Sequence, residues 1–108
     1  MAKNDAETGM MLVFCTFPDA GVAREISSRI VAEGIAACVN LVPQVESIYL
    51  WEGEMRSESE VLAIFKIRAE GFESLERAIL AIHPYEVPEI VGIRADEVSE
   101  RYLAWVRG

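Results

Sequence analysis

The chemistry open to this chain lies in a few soft donors and one rigid loop. Cys15, Cys38 and His83, the single histidine, are the side chains suited to a transition metal. Copper is held by soft thiolate and by imidazole, and its affinity for such ligands exceeds that of the other first-row divalent ions. Each residue also has a plainer reading. Cys15 alternates with Met11, Val13 and Phe17 along an apolar run, as a packed core thiol would, and Cys38 has a similar setting. His83 stands where a helix must end before Pro84, so a cationic ring there would suit the helix dipole and fix the following loop.

The loop His83-Pro84-Tyr85-Glu86-Val87-Pro88-Glu89 places an imidazole, a phenol and carboxylates between two angle-fixing prolines. If copies of the chain associate, it faces a cleft completed by Tyr49, Trp51 or Lys66 of another copy, which could hold a small anion or metabolite. Stitching of subunits by hydrogen bonds explains the loop equally well. Trp51 and Trp105 read as packing residues before ligand-stacking rings. Glu52, Glu54, Glu58 and Glu60 read as an acidic hairpin tip that gathers divalent ions weakly or simply stays solvated.

Catalytic patterns are thin. No Ser or Cys has a base near it in the sequence, and no glycine-rich phosphate loop precedes a helix. Arg24 and Asn40 are the residues left for an anion-binding pair in a phosphate-ester reaction, and nothing in their spacing singles them out. The expectation is a protein that is not an enzyme.

The elements that must position these groups fit in one domain. The chain has 108 residues, 52% apolar and 26% charged, which excludes a multidomain enzyme. A mean hydropathy of +0.21 is more apolar than one small core easily hides, which points to self-association. The net charge of −8 with scattered basic residues argues against nucleic acid and anionic membrane as partners. Two cysteines without a CxxC pair suit a reducing cytoplasm, and residues 1–9 read as a flexible tail before a domain over residues 10–108.

Met10 to Phe17 reads as a buried strand, Asp19 as the cap of a helix that Gly34 closes, and Ala36 to Trp51 as a long strand with a bulge at Pro43. Glu52-Gly53 reverses the chain into Glu60 to Arg68, making a long hairpin whose tip projects. A helix from Phe72 ends at His83-Pro84, Glu89 to Ala95 is a fourth strand, and Ser99 caps a terminal helix. The order β-α-β-β-α-β plus a C-terminal helix is the ferredoxin-like split β-α-β sandwich, an α+β fold with both helices on one face of a four-stranded antiparallel sheet. The strands are apolar at both parities, so the second face needs a cover, and copies of the same chain are the economical one.

The stretches VFCTFPD (Val13 to Asp19), EGIAACVNLVP (Glu33 to Pro43), SIYLWEGE (Ser47 to Glu54), HPYEVPEI (His83 to Ile90) and YLAWV (Tyr102 to Val106) resemble the CutA divalent-cation tolerance family in order and spacing. The resemblance implies a tight homotrimer with inward-facing sheets, tolerance of copper and other divalent cations, and no established reaction. It points to Cys15 and His83 as metal positions. Ile82 stands where some relatives carry a second histidine, so further ligands would come from another chain or from Glu86 or Glu89. The expected function is copper binding of modest affinity in a response to metal ions. The alternative is a trimeric module resembling the P-II signalling proteins, binding a metabolite or protein partner at an intersubunit cleft through Tyr85, Glu86, Glu89, Trp51 and Lys66.

Overall fold

The computed structural model describes residues 9–108. Strand β1 spans Met10–Phe17, helix α1 Ala20–Ala32, β2 Cys38–Trp51, β3 Glu54–Arg68, α2 Phe72–Ile82, β4 Val91–Arg94 and α3 Glu100–Arg107. The sheet order is β2-β3-β1-β4, and every neighbouring pair is antiparallel. This is the ferredoxin-like α+β arrangement that the alternation of strands and helices predicts. The tail expected over residues 1–9 lies outside the described residues except for Gly9. That residue is tied down: its carbonyl accepts from Ala69 N–H at 3.0 Å and from Arg107 Nη1 at 2.7 Å.

Local chemistry sets the boundaries. Asp19 Oδ1 accepts the Val22 N–H at 2.8 Å, which removes one unpaired donor of the first turn of α1 and stabilises it by about 1 kcal/mol. At the other end Gly34, at φ 76°, takes the left-handed conformation, and the Gly34 and Ile35 N–H groups bond back to Val31 and Ile30. Helix α2 stops because Pro84 forces His83 out of the helical region to φ −70°, ψ 136°. Ser99 occupies the cap position of α3, but its hydroxyl makes no capping bond. The helix is held instead at its far end, where Arg107 clasps Glu70 through two contacts of 2.9 Å.

The hairpin of β2 and β3 turns through Glu52 and Gly53, both at positive φ, the conformation that matches the twist of the flanking strands. Its register shifts between Val42 and Val45, where Pro43 can donate no ladder bond and Gln44 sits at φ 61°. The arm stretches the molecule to 50 × 28 × 23 Å and the radius of gyration to 14.9 Å, against about 13 Å for a compact domain of roughly 100 residues. β4 is shorter than the expected Glu89 to Ala95. Pro88 has no N–H to start the ladder, and Glu89 and Ile90 stay in the loop.

The core lies between α1, α2 and one face of the sheet. Val13, Cys15, Phe17, Phe65, Leu75 and Ile79 are completely buried there. The opposite face carries Leu12, Phe14, Leu62 and Ile64 half-buried, with Val42, Val91 and Ile93 exposed. No described helix is long and apolar enough to cross a membrane.

Candidate functional site

His83 is the centre of the site, and the end of α2 aims it. With the helix broken at Pro84, the ring lies 4.8 Å from the Phe17 ring and stacks on it at 16°. Its Nδ1 accepts the Tyr85 N–H at 3.1 Å, so the proton resides on Nε2, which donates to the Thr16 carbonyl at 2.8 Å. Both ring nitrogens are therefore engaged. Burial lowers the His83 pKa from its ordinary 6.5, against smaller upward pulls from the Thr16 bond and Glu60. The loop-fixing role expected of His83 is what its bonds perform, tying the loop to the end of β1, while burial works against the cationic form that the helix dipole would favour.

Cys15 has no solvent exposure, and its thiol reaches only the Thr16 carbonyl, at 3.8 Å. Burial, aided by the Glu89 and Glu60 carboxylates, pushes its pKa up to about 12. His83 is bonded to the carbonyl of Thr16, the residue next to Cys15, so the fold anchors the imidazole to the strand that carries the thiol. Among the described residues no set of three or more His, Cys, Asp or Glu side chains is placed to hold a metal ion. The donor types fit a thiophilic ion. As arranged, however, a bound ion would need the thiol to lose its proton and His83 Nδ1 to release Tyr85.

Beside this pair opens a cleft of about 760 Å³ between the hairpin arm and the proline-braced loop. Tyr49 and Trp51 from the arm face Tyr85, Glu86 and Glu89 from the loop, all within one chain. Tyr85 Oη donates to Glu60 Oε2 at 2.5 Å, and Tyr49 Oη donates to Glu58. Burial and the bond to Glu60 raise the Tyr85 pKa, and the bond to Glu58 raises that of Tyr49.

Glu60 is the residue that sequence reasoning misplaced. Read as part of an exposed tip, it is 7% exposed, beneath Tyr85. Glu52 and Glu54 do flank the turn in the open. Lys66 takes no part in the cleft of its own chain: it sits on the open sheet face, bonded to Asn40 and 4.0 Å from Cys38. Arg24 is exposed on α1, on the helix side, so the pair it might have made with Asn40 is not formed. Trp105 stacks on Tyr102 at 5.8 Å and remains 58% exposed.

Comparison with known proteins puts this geometry in company. Residues 11–108 match the family model described as CutA1 divalent ion tolerance protein. The Divalent-cation tolerance protein CutA of Thermus thermophilus is 43% identical over 96 residues, covering 89% of this chain and 93% of that protein. Protein CutA of Homo sapiens is 40% identical over 94 residues, covering 87% of this chain and only 52% of that protein, so the chain spans about half the length of that relative. The crystal structure of CutA1 from Oryza sativa superposes with a TM-score of 0.89 at 33% identity, covering 94% of this chain and 93% of that one.

Proposed function

Since the chain belongs to the CutA1 divalent ion tolerance protein family, we propose that it performs its tolerance role by binding copper, or another divalent cation, with modest affinity through Cys15 and His83. One observation carries the choice of residues: His83, far along the chain, is anchored to the carbonyl beside Cys15. Thiolate and imidazole are the donors copper prefers. The affinity is modest because binding must expel the proton of a thiol whose pKa burial raises, and must displace a hydrogen bond from His83. Two ligands do not complete a site, so the others come from solvent or from another copy of the chain.

That copy belongs to the same reading. Apolar residues on the uncovered sheet face favour a homotrimer with the sheets turned inward, and two free cysteines suit a reducing cytoplasm. Native mass spectrometry of the protein with Cu(I), Cu(II) and Zn(II) under reducing conditions tests both parts. The expected result is a trimer taking up a fixed number of copper ions, lost in folded Cys15→Ser and His83→Gln variants. Copper uptake unchanged in both variants would overturn the assignment, and a monomer would overturn the assembly.

The P-II-like reading, a small molecule or partner held at the loop, draws its support from the cleft itself. The cleft's charge does turn that reading away from anions: Glu58, Glu60, Glu86 and Glu89 face one cationic side chain, Arg56.

A further inference from the structure

We propose that the cleft between the hairpin arm and the proline-braced loop is a binding site for a small organic cation, an alkylammonium ion seated among Tyr49, Trp51 and Tyr85. Three kinds of observation converge on that class of ligand.

The first is shape. A cleft of about 760 Å³ lies within the size range of small-molecule sites, and its two walls come from elements separate in sequence, the hairpin arm that carries Tyr49 and the loop that carries Tyr85. Both walls are stiff: one is a paired antiparallel ladder, the other is braced by Pro84 and Pro88 and tied through His83 to β1.

The second is the treatment of the phenols. Each spends its proton on a carboxylate, Tyr49 on Glu58 and Tyr85 on Glu60. A phenol that donates to an anion carries more electron density on its ring, and an electron-rich face is what attracts a cation. Trp51, the ring type that binds cations best, lines the same space and is 41% exposed, hence available.

The third is how the charge is distributed. The four carboxylates give the cleft a net negative field, yet no three His, Cys, Asp or Glu side chains among the described residues converge as a metal demands. A hard divalent ion needs oxygens packed around one point, at about 2.0–2.6 Å. An alkylammonium ion needs no such convergence: a quaternary head is held by aromatic faces in a negative field, and a primary head can also donate to the carboxylates. Arg56, the one cationic side chain in the lining, stands opposite Tyr49 in the ladder and is paired with Glu54 at 3.6 Å, so four carboxylates of the lining outweigh it. The cleft shares no lining residue with the proposed copper ligands, since neither Cys15 nor His83 lines it, although His83 anchors the loop that carries Tyr85.

The test is a titration of the purified protein, in its native assembly, with tetramethylammonium and butylammonium chlorides. It is read by calorimetry and by the indole N–H resonance of Trp51 in a Trp105→Phe background. Neutral tert-butanol and magnesium chloride at matched ionic strength serve as controls. We expect saturable binding of at least one of the two cations that moves the Trp51 signal. Trp51→Leu, at a partly exposed arm position, should weaken it roughly two- to thirtyfold, and Arg24→Ala, exposed on the helix side away from the cleft, should leave it unchanged. Absence of saturable binding by both cations, equal binding of tert-butanol, an equal response to magnesium, or indifference to Trp51→Leu would each overturn the proposal.

Discussion

Replacing His83 by alanine should destabilise the metal-free protein by about 2.5–3.5 kcal/mol, because its ring makes a stack and two hydrogen bonds at once. The stack on Phe17, 4.8 Å between centroids, is worth about 0.5–1.5 kcal/mol beyond simple burial. The bonds to the Thr16 carbonyl and from the Tyr85 N–H contribute about 1 kcal/mol each. The assay is guanidinium unfolding in chelator at one fixed protein concentration, since an assembly's stability depends on concentration. His83→Gln, which can still donate to the Thr16 carbonyl, should lose less than His83→Ala.

The pH dependence of the same experiment has a definite sign. His83 has a lowered pKa in the folded state, so below its ordinary 6.5 the unfolded chain takes up a proton that the folded chain refuses. Its contribution is therefore complete above that pH and is lost as the pH falls through the lowered folded value. The stability gap between the native protein and His83→Gln should narrow from pH 7 to pH 5. A loss below about 0.5 kcal/mol in His83→Ala, or a gap that widens on acidification, would refute the view of His83 as a neutral structural bridge.

Cys15 should resist a thiol reagent at pH 8 until the protein unfolds, because it is fully buried with a pKa pushed up to about 12, whereas half-buried Cys38 should label first; mass mapping that finds Cys15 modified in the folded state would contradict its placement. Gly92→Ala should destabilise by about 1–3 kcal/mol, since a Cβ at Gly92 would stand 2.7 Å from Met11 Sδ and 3.0 Å from the Phe72 ring. Thermal unfolding within error of the native protein would show that Met11 and Phe72 yield freely.

Much of the frame was legible in the sequence because local rules write it. Pro84 ends a helix wherever the rest of the fold lies, Pro43 breaks a ladder, and Glu52-Gly53 is a turn by its own backbone preferences. The even and odd positions of β1, both apolar, pointed to a sheet with one face packed on helices and a second in need of a cover; in the single chain the first face is packed and the second carries half-buried and exposed apolar residues. The relations across the fold were not legible. Glu60 alternates like any surface carboxylate on a strand, and only its bond to Tyr85, 25 residues away, takes it out of solvent. The same holds for the cleft: Tyr49 and Trp51 were expected to meet the loop from another chain, and within a single chain they already line one cleft with it.

His83 shows why a residue's type is a poorer guide than its bonds. As the lone imidazole beside a proline it invited two readings, a metal ligand or a dipole-favoured cap that fixes the loop, and the loop-fixing half of the second is the one its bonds fulfil. The fold uses both nitrogens to fasten the Tyr85 loop to β1. Structural and metal-binding roles then compete for one lone pair, that of Nδ1. An ion bound there would release the Tyr85 N–H, and with it the strut that holds Tyr85 against Glu60 on the cleft wall. Metal capture at His83 and the shape of the cleft are thus linked through a single hydrogen bond, and any copper that binds His83 should loosen the loop lining the cleft.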